Sequence, residues 1–349
     1  MSSTDSGRIL SVQSHVAYGY VGGKAAVFPL QCLGYDVDVV HTVHFSNHAG
    51  YARAGGTKTS ATELKSIFEA MQANELLNPT RLLTGYIPNA EALGAVKDLA
   101  EKLLKQRDGL IYLLDPVMGD SGRLYVAPDV IPVYKSMLPL ATIITPNWFE
   151  VETLTDTPLT SLSALRSALN VLHTTYRVPH VVISSIPLQA WLADALPTNI
   201  KPLDSNQGQY LLCIASSRQN EQKSMVYAQT VPLLPGYFSG VGDLFSALLL
   251  GHYHPSESLE IGAVTPLSHA TSLALSKTHL VLTRTLVHSQ TLPREEQLPT
   301  DDELDKAEPL RKIRRMRGRE LQLVQSLDII TGQNVGEHGI RELVQWEGF

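Results

Sequence analysis

The feature that most constrains the fold is an alternation of two hydrophobic patterns along the chain. Short apolar, β-branched runs, typical of buried strands, occupy residues 9–16, 37–43, 82–87, 110–117, 141–145, 180–186 and 210–214. Between several of them, residues 62–74, 89–106 and 161–176 carry apolar side chains three or four positions apart, as amphipathic helices do. This alternation predicts an α/β fold with a mostly parallel sheet covered by helices on both faces. Its ligand site is expected beyond the carboxyl ends of the strands.

Composition and charge narrow the class of function. Of the 349 residues, 44% are hydrophobic and 18% are charged, which is typical of a globular protein and not of a disordered or fibrous one. The formal net charge of −6 leaves no basic field that would hold nucleic acid or an anionic membrane. The two cysteines, Cys32 and Cys213, lack the number and spacing of a disulfide framework or a zinc site. We therefore expect a cytoplasmic protein that acts on small molecules, without a signal peptide or a transmembrane segment.

The last third of the chain changes in character. Residues 240–251 and 268–286 predict two further helices. Residues 295–308 then hold seven acidic side chains and one Lys, and residues 311–319 hold six basic ones. We interpret residues 290–319 as a charged insertion that is solvated and partly disordered or forms a surface helix, with a nuclear-localisation or anionic-partner patch as the alternative. The chain would then comprise a domain over residues 1–289, this insertion, and a tail at 320–349 that docks back on the domain.

A glycine-rich loop precedes the first of these two helices. Gly240 and Gly242 allow the backbone to bend sharply, and the unpaired N–H groups of the helix N-terminus favour an anion. Asp243 places a carboxylate beside this anion hole. It is either a catalytic group or an ordinary first-turn acid of the helix, since Asp is common there.

Two more polar clusters follow predicted strands. Asp115 and Asp120 lie five residues apart with Pro and Gly between them, so that both carboxylates can approach one hard cation such as magnesium, although a plain strand-ending turn has the same composition. Asn147 and Glu150 follow the next strand and could orient metal-bound water or phosphate. Glu150 could equally be the first-turn acid of the following helix.

Other site types fit less well. Lys24 has Tyr18 six residues before it, where a P-loop requires Gly, so a P-loop enzyme is not expected. Four histidines at positions 15, 41, 44 and 48 lie on two separate segments without the helical spacing of a zinc site.

The order and spacing of seven motifs resemble those of the pyridoxal kinases, members of the ribokinase-like superfamily. The motifs are SVQSHVAYGYVGGKAAVFPLQCLG, HFSNHAGY, LLTGYI, LLDPVMGD, ITPNWFE, VVISS and FSGVGDLFSALLL. The resemblance covers about residues 8–290 and returns weakly at residues 321–327. It implies a three-layer α/β/α fold and ATP-dependent phosphorylation of pyridoxal, pyridoxine and pyridoxamine by a homodimer that needs Mg²⁺ and a monovalent cation such as K⁺.

The resemblance also implies roles for individual residues. Asp243 corresponds to the catalytic base of the family. The vitamin would be bound by Ser14, Val21, Ala49, Tyr86 and Asp243. ATP would be bound by Asp115, Asp120, Tyr125, Asn147, Glu150, Ser184, Ser185, Gly240, Val241 and Gly242. The metal sites would involve Asp115, Asp120, Thr145, Glu150 and Ser184, and residues 121–129 would form a flap over ATP.

Two departures from the family pattern concern the site. Val241 replaces the Thr of the usual GTGD, and Ala49 stands where relatives have Thr in the substrate loop. Two alternatives stay open. One is a hydroxymethylpyrimidine kinase, which shares the DPVMGD-like and GxGD motifs, and the other is a non-catalytic binding protein of the same fold. The acidic residues and Asn147 argue against the second.

Overall fold

A computed structural model of the chain describes residues 7–51, 53–202, 209–220, 223–256, 264–333 and 339–349. In these parts of the chain, ten strands form one sheet and two form a separate hairpin. The strands are β1 (Arg8–Val16), β2 (Asp36–Phe45), β3 (Gly56–Lys58), β4 (Arg81–Thr84), β5 (Ile111–Leu114), β6 (Gly119–Asp120), β7 (Arg123–Leu124), β8 (Ile143–Ile144), β9 (His180–Pro187), β10 (Tyr210–Arg218), β11 (Ser224–Pro232) and β12 (Val344–Gln345).

The large sheet is parallel in its centre and antiparallel at both edges. Its order is β12-β11-β10-β9-β8-β5-β4-β1-β2-β3. The six strands from β9 to β2 in this order are parallel to their neighbours, whereas β10, β11, β12 and β3 pair antiparallel. The carboxyl ends of the six parallel strands therefore meet along one edge of the sheet, where an open α/β sheet places its ligand.

Helices cover both faces. They are α1 (Gly23–Cys32), α2 (Ala61–Ala73), α3 (Ala90–Gln106), α4 (Val130–Met137), α5 (Trp148–Thr155), α6 (Leu162–Asn170), α7 (Ala190–Ala195), α8 (Val241–His252), α9 (Pro266–Gln290), α10 (Asp302–Ala307), α11 (Pro309–Arg317) and α12 (Leu327–Thr331). None of the helices in the described ranges is long and apolar enough to cross a membrane.

Two hydrophobic cores lie on the two faces of the sheet, because successive side chains of a strand point in opposite directions. In β1, Leu10 joins the core with α2 to α7, and Ile9 joins the core with α1, α8 and α9. In β4, Leu82 and Leu83 divide in the same way. The predicted three-layer α/β/α fold is confirmed.

Several predicted segments end elsewhere in the structure. The apolar run at 110–117 is a strand only to Leu114, because Asp115 and Pro116 start the loop of the site. The run at 82–87 is a strand only to Thr84. The helix predicted at 161–176 changes to a π-helical turn at Val171. Helix α1 and strand β11 were not predicted; α1 contains Pro29, which normally argues against a helix.

The charged segment contains α10 and α11. Its acidic and basic halves pair with each other: Arg315 forms an ion pair with Asp305, and Arg317 forms one with Glu296. Arg315 and Asp305 are both nearly buried. Because these cations are paired within the segment, they are less available to a separate anionic partner.

Candidate active site

The carboxyl-end edge of the sheet brings together the loops that follow β1, β4, β5 and β8, together with the end of β9. The N-terminus of α8 reaches the same edge, because the chain returns there after the antiparallel strand β11. Several of the candidate residues of the sequence lie on these loops. Ser14 lies near the end of β1, Ser184 and Ser185 lie in β9, and Glu150 lies in the first turn of α5. Ala49 and Tyr125 lie on neighbouring loops, and residues 240–243 form the N-cap and first turn of α8.

Asp243 lies between the loop after β1 and the acidic cluster. Gly240 is the N-cap of α8 with φ 80°, a left-handed conformation that glycine adopts without strain. A side chain at Gly240 would place its first carbon 2.0 Å from the carbonyl oxygen of Tyr20. Asp243 does not cap the helix, and its carboxylate accepts a hydrogen bond from the backbone N–H of Gly22. Burial raises the pKa of Asp243, and the Gly22 bond offsets part of the rise.

Asp115 follows β5 and belongs to a buried chain of hydrogen bonds. The hydroxyl of Ser246 donates to Asp115 Oδ2 over 3.0 Å, and it lies 2.8 Å from the hydroxyl of Thr145. Since the Ser246 proton is directed to Asp115, Thr145 acts as donor to Ser246. Burial raises the pKa of Asp115 well above its usual value, and the charges of Glu150 and Asp243 add to the rise. The structure therefore connects Asp115 to Thr145 by hydrogen bonds through Ser246, and to Asp243 by the repulsion of their charges.

Asn147 and Glu150 form a capping box at the start of α5. The Glu150 N–H donates to Asn147 Oδ1 over 3.0 Å, and the Asn147 N–H donates to Glu150 Oε2 over 2.9 Å. Both side chains also hold the loop after β5. Glu150 Oε1 accepts from the N–H of Met118 over 2.9 Å, and Asn147 Nδ2 donates to the carbonyl of Gly119 over 2.8 Å. Burial raises the pKa of Glu150 to about 8 despite these backbone bonds. The first-turn role considered for Glu150 is thus present in the structure.

The carboxylates at this edge fit a hard cation. Burial raises the pKa of Asp115, Glu150 and Asp243, and the charges of Glu150 and Asp243 raise that of Asp115 further. A positive charge at this edge would therefore be stabilised. Among the described residues, no group of three or more His, Cys, Asp or Glu side chains is arranged to hold a metal ion by itself. Such a donor set suits Mg²⁺, which is usually held by one or two carboxylates together with water and substrate phosphates.

Of the residues expected at the vitamin, Ser14 lies close to Asp243, because both contact Gly22. Ser14 is nearly buried, and a side chain at Gly22 would place its first carbon 2.2 Å from the Ser14 hydroxyl oxygen. Val21 and Tyr86 are partly buried, and the Tyr86 carbonyl accepts a hydrogen bond from Thr42 over 2.7 Å. Ala49 is exposed on the loop after β2.

The expected flap is a tight hairpin. Strands β6 and β7 pair antiparallel, and the Tyr125 N–H donates to the Met118 carbonyl over 2.8 Å. The Tyr125 side chain is hydrogen-bonded to Tyr237, which lies in the loop before α8. Asp120 accepts a hydrogen bond from the N–H of Ser121 at the hairpin turn. The hairpin is therefore tied to the loop that carries the anion hole.

Ser184 and Ser185 lie in β9 and are partly buried. The Ser184 N–H donates to the Pro146 carbonyl over 3.1 Å, which places this strand beside the loop that carries Thr145 and Asn147. Val241 and Gly242 lie in the first turn of α8, where Val241 is partly buried and Gly242 is exposed.

Sequence reasoning missed three residues of the site. Ser246 lies one turn after Asp243 on α8, and this spacing could have indicated that it faces the same loops. Tyr237 precedes the glycine-rich loop, but nothing in the sequence indicated its contact with the hairpin. Glu320, after α11, accepts hydrogen bonds from His48 and Tyr51 in the loop after β2. No local pattern predicts this contact.

Three of the four histidines considered above, His15, His41 and His44, form a cluster on strands β1 and β2. The rings of His15 and His41 stack with centroids 4.4 Å apart, and His44 lies against both. Burial lowers the pKa of His15 and of His41, and the neighbouring histidines lower both further.

The chain is similar to vitamin kinases in three comparisons with known proteins. A family described as phosphomethylpyrimidine kinase matches residues 34–204. Pyridoxal kinase from Arabidopsis thaliana is 39% identical over 287 residues, which cover 81% of this chain and 84% of that protein. Human pyridoxal kinase is 37% identical over 290 residues, which cover 80% and 85%. Among solved structures, pyridoxal kinase from Leishmania donovani in complex with ADP and pyridoxamine is 28% identical, with a TM-score of 0.75 and coverage of 97% of this chain and 98% of that one.

Proposed function

The chain belongs to the pyridoxal kinase family, and we propose that its cleft transfers the γ-phosphoryl group of ATP to the 5′-hydroxymethyl group of vitamin B6. The activity is an ATP-dependent phosphotransfer, and the substrates are pyridoxal, pyridoxine and pyridoxamine. The predicted family is confirmed. The observation that carries the assignment of roles is the position of Asp243, between Ser14 and Gly22 on one side and Asp115 on the other.

Asp243 is the proposed base. In phosphoryl transfer the protein mainly aligns the reactants and neutralises developing charge. The carboxylate of Asp243 would accept the proton of the hydroxymethyl group as the oxygen of that group attacks the γ-phosphorus and ADP leaves. The Gly22 N–H holds this carboxylate in place. A carboxylate is a weak base for an alcohol, so its contribution is to be positioned for a late proton transfer.

The first turn of α8 is the proposed anion hole. The backbone N–H groups of Gly240, Val241 and Gly242 lie at a helix N-terminus, where unpaired donors and the helix dipole favour phosphate oxygens. Because these donors belong to the backbone, Val241 retains them although it lacks the hydroxyl of Thr. Ser14, Val21, Ala49 and Tyr86 would bind the vitamin.

The acidic cluster is the proposed cation side. Asp115, Asp120 and Glu150 would hold Mg²⁺ directly or through water, and the cation would neutralise charge on the phosphates of ATP. Asp115, Thr145 and Ser184 would line a site for a monovalent cation such as K⁺. Asn147, Ser184, Ser185 and the hairpin residue Tyr125 would complete the nucleotide site.

The assembly and location are also proposed, by analogy with the family that the chain resembles. We propose a homodimer in the cytoplasm. The alternative activity is phosphorylation of hydroxymethylpyrimidine, and the curated relatives do not favour it. The acids and Asn147 in the cleft argue against a binding protein without activity.

The experiment measures ATP-dependent phosphorylation of pyridoxal by product absorbance, with Mg²⁺ and K⁺ present. We expect turnover by the natural protein and a fall in kcat of roughly 10²- to 10⁴-fold in Asp243→Asn. Asp98→Asn is the matched control, because Asp98 is an exposed residue of α3. If an Asp243→Asn variant folds and retains the kcat of the natural protein, Asp243 is not the base. Turnover of hydroxymethylpyrimidine, with none of any vitamin B6 form, would exclude vitamin B6 as the substrate.

A further inference from the structure

The carboxylate of Glu320 accepts three hydrogen bonds from two loops that are distant from it in sequence. Oε1 lies 2.8 Å from His48 Nε2 and 2.7 Å from the Tyr51 hydroxyl, and Oε2 accepts from the backbone N–H of Tyr20 over 2.9 Å. The Glu320 side chain is only 10% exposed. A buried carboxylate with three donors is a strong local constraint, because bonds to a charged acceptor are stronger than neutral ones.

The hydrogen bonds define which atoms of this cluster are donors and which are acceptors. The Gly50 N–H donates to His48 Nδ1 over 3.1 Å, so Nδ1 is an acceptor and the ring proton resides on Nε2, directed at Glu320. All three groups around Glu320 are therefore donors, an arrangement that favours the ionised carboxylate. Burial alone would raise the pKa of Glu320, but the bonds from His48, Tyr51 and Tyr20 outweigh it and lower the pKa.

Each of these loops carries a residue of the proposed vitamin site. His48 and Tyr51 flank Ala49 in the loop at 46–51. Tyr20 precedes Val21 in the loop at 17–22, and its carbonyl packs against Gly240 so closely that no side chain fits there. The rings of Tyr18 and Tyr51 meet edge to face at 6.2 Å. Glu320 thus joins the two loops to each other and to the segment after α11.

The loop at 17–22 borders open space on its outer side. A surface cavity of about 400 Å³ lies between residues 17–20 and the C-terminal segment, and its lining includes Glu320, Arg317 and Lys24. Where a loop borders such a cavity, its position depends more on hydrogen bonds than on a packed core. The bonds to Glu320 supply that support.

On the basis of the proposed function, we propose that Glu320 is a positioning residue that holds the loops at 17–22 and 46–51 in their vitamin-binding arrangement. It acts through Tyr20, His48 and Tyr51. Its removal should weaken binding of the vitamin much more than binding of ATP, most of whose proposed residues lie on other loops.

The test is steady-state kinetics of Glu320→Gln. A glutamine keeps the shape but loses the charge, and its NH₂ group must face either the Tyr20 N–H or the two donors His48 and Tyr51. We expect the KM for pyridoxal to rise roughly tenfold, the size of one lost charged hydrogen bond, with the KM for ATP within about twofold. Glu303→Gln, at an exposed residue of α10, is the matched control.

A second variant provides a test that does not depend on the folding of Glu320→Gln. Tyr51→Phe removes one donor, and we expect a smaller rise in the pyridoxal KM, of about two- to fivefold. In the double variant this effect should shrink, because the acceptor is already impaired. Partial unfolding would lower the apparent kcat and leave both KM values unchanged, so it would not imitate the expected result. If Glu320→Gln does not fold, the kinetics of Tyr51→Phe decide.

The outcomes separate this inference from the proposed function. An inactive natural protein overturns the function. An active natural protein whose pyridoxal KM is the same in folded Glu320→Gln, or in Tyr51→Phe, overturns the positioning role alone. A rise in the ATP KM equal to that for pyridoxal also overturns it.

Discussion

Ser246 donates a hydrogen bond of 3.0 Å to Asp115, although 131 residues separate them in the chain. The bond joins the first turns of α8 to the loop after β5, and thus the anion hole to the acidic cluster. It also lowers the pKa of a carboxylate that burial and two neighbouring acids raise.

Replacement of Ser246 by Ala should destabilise the protein. The variant leaves Asp115 Oδ2 buried without this donor, at a cost of about 1–3 kcal/mol in the free energy of unfolding. Chemical denaturation measures the effect. Ser136→Ala is the control, because Ser136 is exposed on α4, and it should change stability by less than about 0.5 kcal/mol. Equal stability of the two variants would show that the Ser246 bond contributes nothing measurable.

The hairpin over the nucleotide side can be tested at Tyr125. Tyr125→Phe removes the hydrogen bond to Tyr237 and keeps the ring, so the hairpin should remain folded but be held less tightly to the loop before α8. We expect a rise of about two- to tenfold in the KM for ATP, with the pyridoxal KM unchanged. Tyr237→Phe should give the same pattern. A change in the pyridoxal KM alone would contradict the assignment of the hairpin to ATP.

The departure at Ala49 predicts a gain of binding. Ala49 is exposed in the loop at 46–51, so a larger side chain meets no packed core there. Ala49→Thr should add a polar contact to the vitamin and lower the pyridoxal KM by about two- to tenfold. Ala49→Val has nearly the same shape without the hydroxyl and is the matched control. A KM that falls equally in both variants would show that bulk, and not the hydroxyl, is responsible.

Lys277 predicts a pH dependence of stability. It is 3% exposed, and its Nζ donates to the Ile330 carbonyl over 2.6 Å and lies 2.9 Å from His252 Nε2. Burial lowers the pKa of Lys277 from 10.5 to about 8. Between these values the unfolded chain binds more protons than the folded one, so this group makes the protein more stable as the pH rises from about 8 toward 10.5.

Urea denaturation at several pH values measures this contribution. In Lys277→Met the increment of stability between about pH 8 and 10.5 should disappear, because Met carries no group that titrates there. Lys65→Met, at an exposed residue of α2, should keep the natural pH dependence. An unchanged slope in Lys277→Met would assign the pH dependence to other groups.

Much of the fold followed from local patterns. Helix α2 begins at Ala61, directly after its N-cap Ser60. The side chains of Ser60 and Glu63 each accept a hydrogen bond from the other's backbone N–H in a capping box, and the helix ends within one residue of the predicted position. Helix α1 could not be predicted in the same way. Pro29 lies inside it, and the helix forms because Ala25, Ala26 and Leu30 are buried against the sheet. That burial is a tertiary contribution, which overrides the local preference.

The sequence alone determined which chemical groups are available at the site and at which strand ends they occur. The glycines before α8 and the acids after β5 carry their conformational and electrostatic properties with them, so their local roles could be inferred. Only the tertiary structure decided which of these groups meet. Ser246 reaches Asp115, and Glu320 reaches His48 and Tyr51, because the sheet order and the return of the C-terminal segment bring distant residues within hydrogen-bond distance. Such contacts depend on the packing of the whole chain, and no local spacing records them.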